Sequence, residues 1–449
     1  MGNLVENADF RRREADNIPR GWVFYAPRQE IAPNAAFDPI VRRGGEGSLK
    51  IWGNGDPLAF GAWTTRVRLE PDKYYRGSVY FKYDGIDDPN LSILINLHWG
   101  DENRLIREEY FSEFTPAEEG WIKAEHLFRT PKEEGTVNLQ LYFRASPNGR
   151  VWFADPEIVK GEAPKPRLVK VATTYFEMPN PSTRQENIKI IAERLDEVGK
   201  LGVDIVVVPE MVTCRNVAFK NPPYSPKNVE EDAETEGGPA SQVYCEKAKK
   251  YGMWVLGWIH ERDGKRIFNT VLVINREGRV VGKYRKIHLH WPEEWLGVSP
   301  GMDIPVFETD FGKIGVIICY DGWFPALAQN LAMKGAEILF FPSAGYTPYN
   351  FQTRCVDTTT YGVSSSFSNP SMIVGTDGEV LAQVYKDGVA TATVDLSKRP
   401  TNKVYDSPSL TYGCPGACRL IHNTLSRKTE EEVLAMLKDP FGPPRPRWK

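Results

Sequence analysis

Three polar residues stand at positions from which a chain could carry out nucleophilic chemistry. Cys319 and Glu210 each end an apolar run, at residues 315–319 and 206–210. Lys286 lies in a basic segment that follows a strand-like run and a turn. Ligands of open α/β sheets bind outside the carboxyl ends of the strands, so residues at such ends are candidates for a site.

The three residue types form a coherent chemical set. A thiol attacks as its thiolate, and a carboxylate such as Glu210 can take the proton of Cys319. Lys286 can keep that carboxylate charged and stabilise the thiolate, and later the oxyanion, for which the N–H of Tyr320 is a second donor. The protonated glutamate can then give its proton to a leaving amine and activate water. The set predicts hydrolysis of an amide-like bond.

Each of these residues alone also has an ordinary structural explanation. A cysteine at a buried strand end is usually structural, a glutamate after proline often caps a helix or joins an ion pair, and a lysine in a basic patch is usually solvated. From their spacing alone, therefore, these three residues suggest a catalytic site but do not establish one.

The elements around these residues predict an α/β domain over residues 167–400. Residues 168–172 predict a strand, and Ser182 to Gln185 matches a capping box that opens a helix. Apolar residues then recur on one helical face, and the apolar run at 204–208 is typical of a strand covered on both faces. The strand–helix–strand rhythm continues through Cys319 and indicates layered helices and sheets.

The first part of the chain predicts a different architecture. Residues 137–143 alternate apolar and polar, as a half-buried strand does, and turn-rich segments separate further strand candidates at 78–83 and 91–97. Residues 1–160 are therefore predicted to form an all-β, jelly-roll-like sandwich. A Pro-rich linker follows, and residues 401–449 are predicted to be a C-terminal extension, a candidate for the subunit interface.

Composition excludes several classes of protein. The net charge of −3 and the 26% of charged residues give no sign of nucleic-acid binding. No apolar run approaches the roughly 20 residues that span a bilayer, and the N-terminal sequence does not resemble a signal peptide. Six cysteines are too few for a disulfide scaffold in 449 residues. A required free thiol favours the cytoplasm, and a location outside it is the alternative if a leader was removed.

Three motifs in order carry a family resemblance. One segment ends in Glu210, a second surrounds Lys286, and a third contains Cys319-Tyr-Asp-Gly-Trp-Phe-Pro. Together they resemble the motifs of the nitrilase superfamily of carbon–nitrogen hydrolases. The segment at 335–344 resembles the part of that family that follows the cysteine, and 375–381 resembles its late hairpin.

The resemblance implies a fold and a mechanism. The family has an α-β-β-α sandwich, a Glu-Lys-Cys catalytic triad and no metal or organic cofactor, and its members usually pair, so a homodimer or larger assembly is expected. Many members carry a second glutamate after the lysine motif. Glu294 has the matching distance to Pro300-Gly301 and is favoured, and Glu293 is the alternative.

The same resemblance suggests residues around a substrate. Tyr320, Trp323 and Ser343 are expected to contact it. Cys319-Tyr-Asp resembles the amidase and N-carbamoyl hydrolase branches, whereas true nitrilases typically have Cys-Trp-Glu. The sequence departs from the family at 324–329 and 354–358 and has a short, serine-rich 361–369, so no specificity is transferred from one relative.

The front domain resembles galactose-binding-like sandwiches. Three segments carry this resemblance: Asn7-Ala-Asp-Phe, residues 18–22 and a closing segment near 151–157. Trp52, Trp63 or Trp99 could stack on a sugar if exposed. The alternative explanation is that these aromatics form the sandwich core or a docking face.

Three functions remain open from the sequence. The favoured one is an amidase or carbamoylase that acts on a small-molecule amide or carbamoyl substrate. The second is a carbohydrate-binding or scaffolding protein with an inactive hydrolase domain, and the third is an acyltransferase of the same superfamily.

Overall fold

The computed structural model describes residues 2–14, 17–100, 105–111, 113–132 and 134–398, with residues 401–402 and 407–408. The chain divides between Ala163 and Pro164 into two compact units. Apart from two short strands, the predicted extension at 401–449 lies outside the described residues. Within the described residues, none of the helices combines the length and apolar content that crossing a bilayer requires.

The N-terminal unit is built from antiparallel strands. Its strands are β1 (Trp22–Tyr25), β2 (Asn34–Asp38), β3 (Ser48–Trp52), β4 (Phe60–Arg68), β5 (Tyr74–Asp84), β6 (Ile93–Gly100), β7 (Leu105–Tyr110), β8 (Glu113–Pro116), β9 (Ile122–Arg129), β10 (Thr136–Arg144) and β11 (Arg150–Lys160). One turn of helix, α1 (Pro89–Ser92), precedes β6, and 3₁₀ turns lie at Gln29–Ile31 and Glu118–Gly120. The sheet orders are β1-β4-β10-β6-β7 and β2-β3-β11-β5-β9-β8.

The core of this unit comes from alternate residues of both sheets. Along β10, Val137, Leu139, Leu141 and Phe143 are buried and their neighbours are not, which confirms the strand predicted from alternation. They join one apolar cluster with residues of the other sheet such as Phe153. Burial of a large aliphatic side chain contributes about 1.5–3 kcal/mol, so this inward face is what holds the sheets together.

Two of the three tryptophans considered for sugar stacking are core residues. Trp63 and Trp99 are 1% and 0% exposed, which confirms for these two the explanation that the aromatics form the sandwich core and excludes stacking on a sugar. Trp52 is partly exposed on β3, and the ammonium of Lys50 lies 5.1 Å from the centre of its ring.

The second unit alternates strands and helices. Its strands are β12 (Leu168–Tyr175), β13 (Ile205–Val207), β14 (Trp254–Asp263), β15 (Arg266–Ile274), β16 (Val280–Arg285), β17 (Val298–Ser299), β18 (Val306–Glu308), β19 (Lys313–Val316), β20 (Ile338–Pro342), β21 (Tyr361–Ser365), β22 (Ser371–Val374), β23 (Val380–Val384), β24 (Gly388–Asp395) and the short β25 (Thr401–Asn402). The remaining short strand, β26 (Ser407–Pro408), is assigned to the first unit. Its helices are α2 (Arg184–Lys200), α3 (Pro226–Asp232), α4 (Pro239–Tyr251), α5 (Trp291–Trp295), α6 (Pro325–Met333) and α7 (Pro348–Thr358).

Two mixed sheets face each other in this unit. Their orders are β16-β15-β14-β13-β12-β24, with β17 beside β15, and β18-β19-β20-β21-β22-β23. Strands β12 to β14 are parallel, as are β19 to β21. Helix α4 packs on the first sheet with α2 beside it, α6 and α7 contact the second, and β12 and β13 contact β20 to β22. The prediction of a mixed α/β domain is confirmed.

Helix α2 begins one residue later than the sequence pattern suggested. The capping box joins Thr183 and Glu186: Thr183 Oγ1 accepts the Glu186 N–H at 3.2 Å, and Glu186 Oε2 accepts the Thr183 N–H at 2.8 Å. Ser182 instead donates its hydroxyl to the carbonyl of Arg215 at 2.9 Å. The box predicted at Ser182 and Gln185 is therefore wrong by one position, because its hydroxyl is engaged elsewhere.

We predict that Thr183→Ala and Glu186→Ala each lower the free energy of unfolding by about 1 kcal/mol, since each removes a cap of α2. The exposed neighbour Gln185 is a matched control, and Gln185→Ala should change that energy by less than about 0.5 kcal/mol. Denaturant unfolding of the three variants measures this. A larger loss in Gln185→Ala than in Glu186→Ala would contradict the observed cap.

Candidate active site

Glu210 lies just beyond the carboxyl end of a central strand. β13 is flanked by β12 and β14, both parallel to it, and the strand and Val208 are fully buried. The chain then turns at Met211, which has a positive φ of 61°. The carboxylate is consequently buried at the edge of the sheet where ligands of such folds bind.

Lys286 follows β16, and its backbone and side chain are both fixed. Its N–H donates to the carbonyl of Asn269 at 2.9 Å, and its own carbonyl accepts the N–H of Gly301 at 2.8 Å. The buried ammonium donates to Glu210 Oε1 at 2.8 Å and to Glu293 Oε2 at 2.7 Å. A buried lysine that is paired in this way carries its charge into the site.

Cys319 occupies a tight turn after β19. It begins the 3₁₀ segment Cys319–Trp323 with a φ of 47°, in the left-handed region that costs a non-glycine residue about 1–3 kcal/mol. Asp321 holds the turn, because its Oδ2 accepts the N–H of Ile318 at 3.0 Å and its own N–H donates to the Ile318 carbonyl at 3.0 Å. The turn presents the thiol at the end of the second sheet.

The same Asp321 carboxylate ties this turn to the lysine segment. It is buried and accepts the hydroxyl of Tyr284 at 2.7 Å and the backbone N–H of His288 at 2.9 Å. These two residues stand on either side of Lys286 in the sequence. One carboxylate therefore fixes the position of Cys319 relative to Lys286.

The segment after β20 lies against the thiol. Cys319 Sγ donates to the carbonyl of Gly345 at 3.5 Å, and the side chains of Glu210 and Ser343 are within hydrogen-bonding reach of it. Glu210 Oε2 accepts the N–H of Ala344 at 2.8 Å. The structure thus brings together Glu210, Lys286 and Cys319, with the predicted substrate contact Ser343 beside them.

The charges of the site follow from its burial and pairing. Burial raises the pKa of the Cys319 thiol to about 12; the charge of Glu210 adds to the rise and that of Lys286 opposes it. Burial also acts to raise the pKa of Glu210, but the charge of Lys286 and hydrogen bonds from Lys286, Asn269 and Ala344 outweigh it and lower that pKa. For Lys286, burial acts to lower the pKa, and the nearby acidic groups raise it instead. At neutral pH the site therefore holds a thiol, a carboxylate and an ammonium.

Glu293, and not Glu294, lies beside the lysine. Glu293 is on α5, and its Oε2 also accepts the N–H of His290 at 2.7 Å, whereas Glu294 is exposed. The expectation for Glu294 is corrected here. Adjacent helical residues point about 100° apart, and the spacing to Pro300 does not determine which of the two points inward.

The predicted substrate contacts Tyr320 and Trp323 lie on the turn that begins at Cys319. The Tyr320 ring meets those of His290 and Phe324 edge-on, with centroids 5.3 and 5.4 Å away. Trp323 is 57% exposed. Tyr320 thus packs among aromatic rings next to the nucleophile, while Trp323 presents its ring to solvent.

Asn269 is a functional candidate that the sequence analysis did not single out. It lies inside β15, where the other buried residues are nearly all apolar, and hydrogen-bonds to Glu210 and Glu293. A polar amide within a buried strand was the signal that could have identified it, because buried polar groups are kept only with partners.

One buried cluster among the described residues has donors of the type that bind metals. Cys214, Asp232 and His260 place their donor atoms within 4.8 Å of one another. Asp232, however, already accepts from Arg184 at 3.0 Å and contacts His260 Nδ1 at 2.7 Å, and burial raises the pKa of the Cys214 thiol. A protonated thiol and an arginine-paired carboxylate are poor ligands, so the cluster is a hydrogen-bonded support.

Comparison with known proteins identifies the family. Residues 171–400, slightly more than half of the chain, match the profile of the carbon-nitrogen hydrolases. The chain belongs to this family. The predicted membership of the nitrilase superfamily is confirmed for this carbon-nitrogen hydrolase domain, and the galactose-binding-like character of the first domain stays a prediction.

The carbon-nitrogen hydrolase domain is similar to several named proteins. It is 30% identical over 277 residues to deaminated glutathione amidase of Homo sapiens, covering 52% of this chain and 82% of that protein. It is 29% identical over 246 residues to a nitrilase of Pyrococcus abyssi, covering 51% of this chain and 90% of the other. The solved structure of Saccharomyces cerevisiae Nit3, from branch 10 of the nitrilase superfamily, has 28% identity and a TM-score of 0.45 and covers 51% of this chain and 90% of its own.

We predict that Glu210→Gln lowers the pKa of the Cys319 thiol. The substitution removes the negative charge that raises this pKa and leaves the Lys286 ammonium that lowers it. The rate of iodoacetamide alkylation at Cys319, followed against pH by peptide mass spectrometry, should therefore level off at a lower pH than in the wild type. Lys286→Met is the opposing control, because it removes the charge that lowers the thiol pKa, and its alkylation rate should level off at a higher pH than that of the wild type. A higher plateau pH in Glu210→Gln would contradict the charges assigned to the site.

Proposed function

We propose that this carbon-nitrogen hydrolase cleaves a non-peptide C–N bond of a small amide or N-carbamoyl substrate through a thioester on Cys319. The observation that carries the proposal is the buried contact of one ammonium, Lys286, with Glu210, next to a thiol that stays protonated in the resting site. A neutral thiol must lose its proton as it attacks, and a carboxylate held ionised beside it is the base that such a step needs.

The proposed reaction has two halves that share these groups. Glu210 takes the thiol proton while the sulfur attacks the carbonyl carbon, and the resulting oxyanion is stabilised by the Lys286 ammonium and the N–H of Tyr320. Collapse breaks the C–N bond, and Glu210 returns its proton to the departing ammonia or amine. Glu210 then deprotonates water, which attacks the thioester and releases the acid and the thiol.

Glu293 takes the place in this scheme that was first given to Glu294. Its contact with Lys286 at 2.7 Å supports a role in holding the ammonium and in orienting the substrate's N–H groups. Tyr320, Trp323 and Ser343 remain the proposed substrate contacts. The relatives named as amidases support amide hydrolysis, and a substrate panel that contains both types distinguishes an amide from an N-carbamoyl substrate.

The wider assignments form part of the same proposal. The facing sheets with helices on each support an α-β-β-α sandwich, and the two antiparallel sheets of residues 1–163 support a jelly-roll-like module. We further propose a homodimer or larger assembly, a cytoplasmic location suited to a free thiol, and no cofactor. A glycan contact on the first domain would involve Trp52, the partly exposed one of the three tryptophans considered.

We predict that the wild type releases ammonia from at least one member of a panel of primary amides, N-carbamoyl amino acids and nitriles, and that Cys319→Ala does not. Cys245→Ala is the matched control, since Cys245 is another free, partly exposed cysteine, on α4, and its loss should leave turnover unchanged. Ammonia release by Cys319→Ala would contradict the proposal. Release that requires an added amine acceptor would indicate an acyltransferase, and glycan binding without any turnover would indicate a binding protein.

We also predict that Glu293→Gln lowers kcat/KM by about 10²-fold, the usual effect of losing one preorganised charged group in a site. Glu294→Gln changes a neighbouring, exposed residue in the same way and should stay within about twofold. Steady-state kinetics on the substrate found in the panel measures both variants. A greater loss in Glu294→Gln would restore the assignment made from sequence spacing.

A further inference from the structure

Asn269 joins the two carboxylates of the site through a single amide group. Its side chain is 2% exposed in the middle of β15. Its Nδ2 donates to Glu210 Oε1 at 2.7 Å and to Glu293 Oε1 at 2.7 Å. Two carboxylates this close repel each other, and each amide hydrogen offsets part of that repulsion by bonding to one of them.

The orientation of this amide is dictated by its partners. The indole N–H of Trp258 lies 2.6 Å from Asn269 Oδ1, and an indole can only donate a hydrogen bond. The ionised carboxylates of Glu210 and Glu293 can only accept. Of the two orientations of the amide, therefore, one satisfies all three partners and the other satisfies none.

The two oxygens of Glu210 differ in the number of donors that they already accept. Oε1 receives both the Lys286 ammonium and the Asn269 amide, at 2.8 and 2.7 Å. Oε2 receives the N–H of Ala344 at 2.8 Å. Oε1 thus has both of its acceptor positions occupied, whereas Oε2 keeps one for the thiol proton of Cys319.

We propose that Asn269 is a positioning residue for the proposed reaction: it holds Glu210 and Glu293 in a fixed relative orientation, and Trp258 in turn holds the amide of Asn269. Asn269 and Trp258 are buried and bond to each other, and Asn269 bonds to the two carboxylates. They act through the carboxylates, so their loss lowers the rate of proton transfer more than it weakens substrate binding. The inference rests on the proposed function wherever turnover is the readout.

A merely structural role predicts a different result. Both residues are buried, so any substitution can lower stability. Trp254 provides a matched control, because it lies on the same strand, β14, and also donates its indole N–H, to Asp310 Oδ1 at 2.6 Å. Trp254→Phe and Trp258→Phe each remove one indole hydrogen bond. Only the bond of Trp258 is made to Asn269, which binds the two carboxylates.

The experiment compares Trp258→Phe, Trp254→Phe and Asn269→Leu with the wild type. We expect kcat to fall about tenfold in Trp258→Phe and about 10²-fold in Asn269→Leu with KM nearly unchanged, and to stay unchanged in Trp254→Phe. In Asn269→Leu, Glu210 loses a donor to its charged form, so its pKa rises and the acid limb of kcat/KM moves up by about one pH unit. Asn269→Asp replaces the donor with a third carboxylate and should be less active at neutral pH than Asn269→Leu.

A second readout needs no substrate. The infrared carboxylate band of Glu210, identified by its loss in Glu210→Gln and followed against pH, reports the pKa of this carboxyl directly, and that pKa should be higher in Asn269→Leu than in the wild type and unchanged in Trp254→Phe. If the panel yields no turnover but the pKa of Glu210 rises in Asn269→Leu and not in Trp254→Phe, the proposed function fails and the positioning role stands. If turnover is found and Trp258→Phe and Asn269→Leu match Trp254→Phe in kcat and in both pH profiles, the positioning role is overturned.

Discussion

The sharing of one buried ammonium between two carboxylates is the constraint on which the rest of the second unit depends. Lys286 is almost fully buried with Glu210 and Glu293 as its partners, and an unpaired charge at such a depth would cost several kcal/mol. The three residues come from the end of β13, the end of β16 and the short helix α5, so these elements are held in place by an interaction that fails if any one of them moves. Buried ion pairs are weak evidence for stability, and here the arrangement is better explained by the site that it builds.

The nucleophile comes from the second sheet and needs a separate link to this charged group. Asp321 provides it, since its carboxylate binds both the turn at Cys319 and the residues that flank Lys286. A strained φ such as that of Cys319 persists only where several neighbouring contacts hold the backbone in place. The hydrogen bonds of Asp321 are such contacts, and they fix the thiol in the turn and the turn relative to the lysine.

The sequence was sufficient for some of this arrangement and insufficient for the rest, for physical reasons. Glu210 and Cys319 could be found because each follows a continuous apolar run, and such runs mark buried strands with their ends at a ligand edge. Glu293 was only the alternative to Glu294, because position along the chain does not determine which residue of a one-turn helix points inward. Trp99 is a core residue, as the period of two indicates, because Ile95 and Leu97 share its buried face of β6. Asn269 escaped notice because its importance depends on two carboxylates that are distant in sequence.

A thiol with a raised pKa is compatible with the proposed catalysis once the charge of the whole site is considered. Two carboxylates and one ammonium give the resting group a net charge of −1, and ionising Cys319 to solvent would add a second negative charge to a buried volume. Transfer of the thiol proton to Glu210 leaves that net charge unchanged, so burial, which opposes the free thiolate, does not oppose the coupled step in the same measure. The burial that opposes a free thiolate at Cys319 therefore favours a reaction in which base and nucleophile act together, and it explains why the orientation of Glu210 matters more here than the resting pKa of the thiol.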